Sequence, residues 1–303
     1  MKRRHKKIIL YLILPFVAMF IVVFSLGWYS GKNVEFMVGS TTAIITMILF
    51  MIIEIYVFKK IFLPYLTESE VLKELDQRKS EFLSILAHQL RTPLSGIKWT
   101  FNMLLSGDLG VINDDQKVFI RQGYENNQRM IGLIDDMLNA DRVGSGRAKY
   151  NFTSVNVIIL VNEIIKELTP LAKQKGVQIV FTERNNNPTV YGDEEKLHAA
   201  YQNLIDNAIK YTRPNGTVTI TLKEKAGFLE TSVSDNGIGI PGDQQKNIFS
   251  KFFRAANALR EHADGSGLGL FIVKGIIEKH GGIIWFQSEE NKGTTFYFTL
   301  RME

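Results

Sequence analysis

The chain has 303 residues, too many for one ordinary core, and its 45% hydrophobic and 22% charged residues exclude wholesale disorder. With no cysteine it has no disulfide, thiolate metal site or cysteine nucleophile. The net charge of +5 points to nucleic acid only until it is located: Lys2, Arg3, Arg4, Lys6 and Lys7 carry the excess, and the rest of the chain balances.

Behind this basic tag runs an apolar stretch from Ile8 to Phe24, prolonged through Trp28 and Tyr29, and a second from Phe36 to Phe58. Each is long enough for a membrane helix, which takes roughly 20 residues. The basic residues before the first span, with Lys59 and Lys60 after the second, predict that both termini are cytoplasmic. A second span and the lack of an A-x-A-like site argue against a cleaved signal peptide. The few residues around Gly31 to Glu35 are too short for a ligand-binding domain, so a stimulus is expected within the membrane, from lipid, or from a membrane-protein partner. Glu54 is read as snorkelling toward the interface.

After Pro64 the chain becomes charged and helical. Leu83, Leu86, Leu90, Leu94, Ile97, Phe101 and Leu104 fall within one stripe about 80° wide, and His88 projects about 160° from its centre. Pro93 deprives the Gln89 carbonyl of its helical partner, so a bend is predicted one turn past the histidine. Thr92, four residues on, shares the histidine's face. Beyond the breaker SGDLGVIND, Ile120, Tyr124, Ile131, Ile134 and Leu138 form the stripe of a second helix. One such hairpin has too little core alone, so pairing into a four-helix bundle is expected.

Gly144 to Gly146 supply a joint, after which strands and helices mix. Strands are predicted over 152–157, 177–181, 218–222, 228–233, 283–287 and 295–300, and helices over 158–175, 194–211 and 268–280. This order points to an α/β sandwich with helices on one sheet face. Asn203 and Asn207 stand at i and i+4, with Lys210 and Tyr211 a turn later. An amide oxygen suits Mg²⁺ that bridges to phosphate, and Lys210 can neutralise phosphate charge. The segments DNGIGI from Asp235, GSGLGL from Gly265 and GTTF from Gly293 are each weak alone, but a helix opening at Gly267 to Leu270 presents N–H groups to anions.

AHQLRTPL resembles the phosphoacceptor box of bacterial sensor histidine kinases, usually H-E-L-R-T-P-L. The segments NLIDNAIKYT, DNGIGI, IFSKFFR, GSGLGL and GTTF are, in that order, similar to the N, G1, F, G2 and G3 boxes of these kinases and of the wider GHKL ATPases. The resemblance runs from about Ser80 to the C-terminus. It implies a dimerisation and phosphotransfer hairpin followed by a Bergerat-type ATPase fold, with ATP and Mg²⁺ as cofactors. It also implies a homodimer whose partner is a response regulator with an acceptor aspartate. By the resemblance His88 is phosphorylated and Thr92 orients water in the reverse, phosphatase reaction. Gln89 stands where the family has an acidic residue proposed as general base, and Gln cannot take a proton at neutral pH. Asp235 would accept from the adenine 6-amino group, which selects ATP over GTP. Asn207 would hold Mg²⁺, Asn203 and Lys210 position the phosphates, and Tyr211 flank the nucleotide. Gly237, Gly239, Phe252, Arg254, Gly265, Gly267, Leu268, Gly269 and Thr294 complete the implied site. Residues 236–266 form its lid, in which His262 is read as solvated, while His198 and His280 are read as structural.

The expected organisation is a membrane anchor over 1–60, a signalling helix over 61–79, the hairpin over 80–143, a joint over 144–150 and the ATP-binding domain over 151–303. The stretch 61–79 is too short for another folded module. A GHKL clamp without phosphohistidine, and a degenerate kinase scaffold encouraged by Gln89, are the competing readings.

Overall fold

A computed structural model describes residues 48–49, 51–53, 55–56, 59–60, 63–182, 188–261 and 265–303. The first expected span and His262 lie outside the described residues, as do Glu54 and most of the second span. No helix among the described residues is long and apolar enough to cross a membrane. The chain divides into two compact units, Met1–Arg78 and Lys79–Glu303. In the first, the described residues from Ile48 to Tyr56 are helical and their large apolar side chains are exposed, with Ile52 at 57%. Lys60 donates to the Tyr56 hydroxyl at 2.7 Å, and Arg78 pairs with Glu74 at 2.8 Å.

Helix α1, Leu63–Ser106, spans the unit boundary, and with α2, Asp114–Gly144, it forms the hairpin. A capping box opens α2: the Asn113 side chain accepts from the Gln116 N–H, and the Gln116 side chain accepts from the Asn113 N–H. Pro93 lies inside α1, which continues through it. Few hairpin side chains are buried; in the second unit's share of it they are Ala87, Asn127 and Ala140. Of the predicted stripe, Leu86, Leu90 and Ile97 remain exposed at 38%, 51% and 44%, so one copy of the hairpin does not close its own apolar face.

The rest of the second unit is a five-stranded sheet covered by helices. Its strands are β2 (Gln178–Thr182), β4 (Thr217–Lys225), β5 (Phe228–Asp235), β7 (Gly293–Arg301) and β6 (Ile284–Glu289), hydrogen-bonded in that order. The β2–β4 pair is parallel and the others antiparallel. Strand residues alternate in burial: Val218, Ile220, Leu222, Leu229, Thr231, Val233, Phe296, Phe298 and Leu300 face one core. Helices α3 (Val157–Lys175), α4 (Glu194–Tyr211) and α6 (Gly269–Lys279) contribute Leu160, Ile164, Leu204, Ile205, Val273 and Ile276 to the same core. The amphipathic stripes of the helices therefore lie on one sheet face, as the mixed order of elements predicts. Tyr201 of α4 is the large polar exception, fully buried with its hydroxyl 2.7 Å from that of Thr231 and its ring edge-on to Phe298.

Several element ends differ from expectation, and three differences bear on the fold. Val157 begins α3 instead of ending β1 (Thr153–Asn156), because the Asn156 side chain accepts from the Ile159 N–H and caps the helix there. Strand β3, Thr189–Gly192, pairs with β1 as a separate two-stranded sheet; four residues show too little alternation to be read in sequence. A short helix α5, Ala256–Glu261, lies in the glycine-bearing lid segment.

Candidate active site

On α1, His88 and Gln89 are both exposed. The Thr92 hydroxyl donates to the His88 carbonyl at 3.2 Å, which ties it to the helix one turn below the imidazole. Arg91 forms an ion pair with Asp135 of α2. Across the hairpin, the buried Asn127 donates from Nδ2 to the Leu94 carbonyl at 2.8 Å, beside the proline that removes one helical donor. The phosphoacceptor segment is thus held to α2 on either side of Pro93.

The nucleotide-box residues gather around one open cavity in the second unit. Asp235, at the end of β5, lines it with Asn203, Asn207, Lys210, Tyr211, Gly239, Arg254, Gly265, Gly267, Gly269 and Thr294. Asp235 Oδ1 accepts from the backbone N–H groups of Gly237 at 2.9 Å and Thr294 at 3.2 Å. Burial pushes its pKa up to about 6, against the lowering effect of those two donors. With Oδ1 doubly used, Oδ2 is the oxygen left for a further donor. Gly237 does not line the cavity but shapes it: a Cβ there would collide with the Tyr211 carbonyl, next to which Ile238 N–H closes a 3.1 Å bond.

At the other end, Asn203, Asn207 and Lys210 project from one face of α4. Asn207 Nδ2 donates to Asn203 Oδ1 at 3.0 Å, so the Asn207 oxygen is the acceptor on offer to a cation. A Cβ on Gly269 would lie 2.5 Å from the Asn203 amide, so only glycine lets the start of α6 approach α4 this closely. A Cβ on Gly265 would lie 3.4 Å from the Arg254 guanidinium and 3.5 Å from the Lys210 ammonium, which places both cations at the glycine segment. The donor set therefore fits a triphosphate: two cations and the α6 N-terminus for oxygens, and one amide oxygen for Mg²⁺. Asp206, alongside, has its pKa raised by burial, with Lys210 and Lys175 opposing.

Two implied contacts lie elsewhere. Phe252 takes a left-handed backbone (φ 63) and is 67% exposed, and Phe253 lines the cavity in its place. Leu268 is buried at 2%, and its contribution is the backbone, whose N–H donates to Ser266 Oγ at 3.2 Å.

Sequence reasoning missed the residues that brace the Gly239–Ile240 wall of the cavity. Ser288 Oγ accepts from the Ile240 N–H at 2.8 Å and lies 2.8 Å from the Thr294 hydroxyl. Gln245 Nε2 donates to the carbonyls of Ile240 and Ser288, each at 3.0 Å, and Asn257 Nδ2 donates to the Gly239 carbonyl at 2.9 Å. Nothing in a lone Ser, Gln or Asn marks it for this work. His198 lies 3.6 Å from Glu167, whereas His280 is buried, accepting from the Asp193 N–H at 2.9 Å and donating to the Ile276 carbonyl at 2.8 Å.

Residues 78–146 match the His Kinase A (phospho-acceptor) domain, and residues 192–303 match the family described as histidine kinase-, DNA gyrase B-, and HSP90-like ATPase. The sensor histidine kinase WalK of Bacillus subtilis is 33% identical over 236 residues, 77% of this chain and 38% of that protein. The adaptive-response sensory kinase SasA of Synechocystis sp. is 32% identical over 247 residues, 80% of this chain and 63% of its own length. The chain thus spans between about a third and two thirds of these two relatives. The crystal structure of full-length ShkA in complex with AMPPNP superposes with a TM-score of 0.62 at 27% identity, covering 73% of this chain and 46% of that one. With the hairpin, the ATPase fold and both domain matches in this order, the chain is similar to sensor histidine kinases over these two domains.

Proposed function

We propose that the protein is a homodimeric, membrane-anchored histidine kinase that phosphorylates itself on His88 from ATP and passes the phosphoryl group to an aspartate of a response regulator. The observation that carries this reading is one exposed histidine on a hairpin, joined in one unit to a cavity with an adenine-seeking carboxylate at one end and two cations at the other. ATP supplies the phosphoryl group, and the Asn207 oxygen would hold Mg²⁺, which would offset the phosphate charge. The chain's residues position: Asp235 orients the base, and Lys210, Arg254 and the start of α6 hold the phosphates. The His88 imidazole presents a nitrogen lone pair to the γ-phosphorus, and the bridging oxygen leaves with ADP. Gln89 can fix the imidazole tautomer by a hydrogen bond but takes no proton, so the proton passes to solvent. Thr92 serves the reverse, phosphatase reaction on the regulator.

The membrane reading rests on the two apolar stretches, the basic tag and the exposed apolar side chains from Ile48 to Tyr56. We place both termini in the cytoplasm and take the stimulus from lipid or a membrane-protein partner. The open apolar face of the hairpin supports the homodimer.

Incubating the protein with γ-labelled ATP and Mg²⁺ tests the reading. Acid-labile, base-stable label that disappears in His88→Ala and in Asp235→Ala is the expected result. ATP hydrolysis without label would instead identify a clamp, and neither activity a scaffold.

A further inference from the structure

The hairpin reaches into the nucleotide cavity. Asp136 of α2 lines it together with Asn203, Lys210, Arg254 and Gly265 to Gly267, at the end where phosphates are expected. Its Oδ2 accepts a hydrogen bond from Ser266 Oγ at 2.9 Å, and the same hydroxyl accepts the Leu268 N–H. Ser266 lies between Gly265 and Gly267, in the segment whose N–H groups would have to meet phosphate oxygens. A carboxylate therefore occupies the partner position of the phosphate-binding segment, in a place where an incoming triphosphate adds several negative charges. The carboxylate is already costly there: burial raises its pKa, the Ser266 bond lowers it, and the neighbouring Asp135 raises it further. Asp135 is the residue paired with Arg91, three positions after His88. Consecutive residues of α2 thus hold the phosphoacceptor segment and the nucleotide segment.

We propose that Asp136 is a latch that opposes the nucleotide: the hairpin carboxylate and the phosphates of ATP compete for the Ser266 segment, so nucleotide binding frees the ATPase domain from this face of the hairpin. The proposal rests on the ATP reading of the cavity. By linkage the competition is reciprocal: a docked hairpin weakens ATP by the factor by which ATP weakens docking. The contact that must open includes Val143 against Gly275, where a Cβ on the glycine would collide with the valine side chain.

The test compares the full chain with Asp136→Asn, which keeps the size and an oxygen for Ser266 but removes the charge. MgATP should bind the variant about tenfold more tightly, equivalent to about 1.4 kcal/mol of relieved repulsion, while adenosine, which carries no phosphate, binds both equally. Because the chain has no cysteine, a Val143→Cys, Gly275→Cys pair reports docking by its rate of disulfide formation. MgATP should slow that rate, adenosine should not, and Asp136→Asn should lower it before nucleotide is added. Equal MgATP affinities with an unchanged cross-linking rate overturn the latch. So does weaker MgATP binding by Asp136→Asn, which would make Asp136 a helper of the metal. Failure of both proteins to bind MgATP overturns the nucleotide reading itself.

Discussion

The hairpin and the ATPase domain are built to opposite standards of closure. The ATPase domain hides Tyr201, Phe298, Leu204, Ile205 and Ile276 almost completely, whereas the hairpin leaves Phe82 at 61%, Ile85 at 61% and Phe119 at 73% exposed. A sheet with helices on one face can bury its apolar side within one chain; two helices cannot, since each has only one neighbour. The difference shows where stability resides and where another molecule is needed. The ATPase domain is held by its own core, and the hairpin leaves apolar surface uncovered.

The largest expected effect lies in the closed core. Phe298→Ala should cost about 3–5 kcal/mol in denaturant unfolding, because the ring fills the space between Tyr201 and the sheet and its removal leaves a cavity. A loss under about 1 kcal/mol would show that this core is looser than its burial implies.

The site comes next. Asp235→Asn should weaken ATP by about 10–100-fold, the range of about 1.5–3 kcal/mol for a hydrogen bond to a charged group. The adenine amine prefers the ionised carboxylate, so wild-type affinity should fall as the pH drops through about 6, and the variant should lose that dependence. For folding the sign is reversed. A raised carboxylate pKa means that the folded state favours the protonated form, so its contribution to stability is lost as pH rises from 3.8 towards about 6. Asp235→Asn should therefore melt at a higher temperature at pH 7.5 while binding ATP less well. Calorimetric titration and thermal denaturation check the two halves.

A smaller effect is expected at His280. Burial lowers its pKa from 6.5, against the Ile276 carbonyl and Asp193, and its neutral ring accepts the Asp193 N–H. The unfolded chain takes up the proton first, so this contribution is complete above pH 6.5 and falls away as pH drops below it. Unfolding at pH 7.5 and 5.5 should show the loss in wild type and a flatter profile in His280→Gln.

The smallest effect on stability belongs to the open hairpin. Phe82→Ala should change unfolding of the monomer by no more than about 0.5 kcal/mol, as for other exposed positions. The same substitution should weaken self-association in sedimentation, which separates a face left for a partner from one that is merely solvated.

Much of this contrast is legible in the chain before folding. The period of Leu83, Leu90 and Leu94 marks one apolar face, and the alternation of Val218, Ile220 and Leu222 marks another of a different kind. Helix α4 begins and ends where the motif reading puts it, because Asp193 caps it and acidic Glu194 and Glu195 suit its first turn. The bracing of Gly239 and Ile240 by Ser288, Gln245 and Asn257 left no such trace, since each is an ordinary polar residue until the fold brings it there. Phe252 and Phe253 are adjacent and identical in kind, and only the backbone angle at Phe252 decides which of them meets the cavity.

By itself the sequence determined the classes of element, the exposed histidine and the inventory of nucleotide boxes, because periodicity and residue chemistry are local properties. The tertiary structure alone decided that Asp136, a residue indistinguishable in sequence from its neighbour Asp135, points into the nucleotide cavity while Asp135 holds Arg91. Neighbours on a helix face directions about 100° apart, and what each meets depends on the element packed against it.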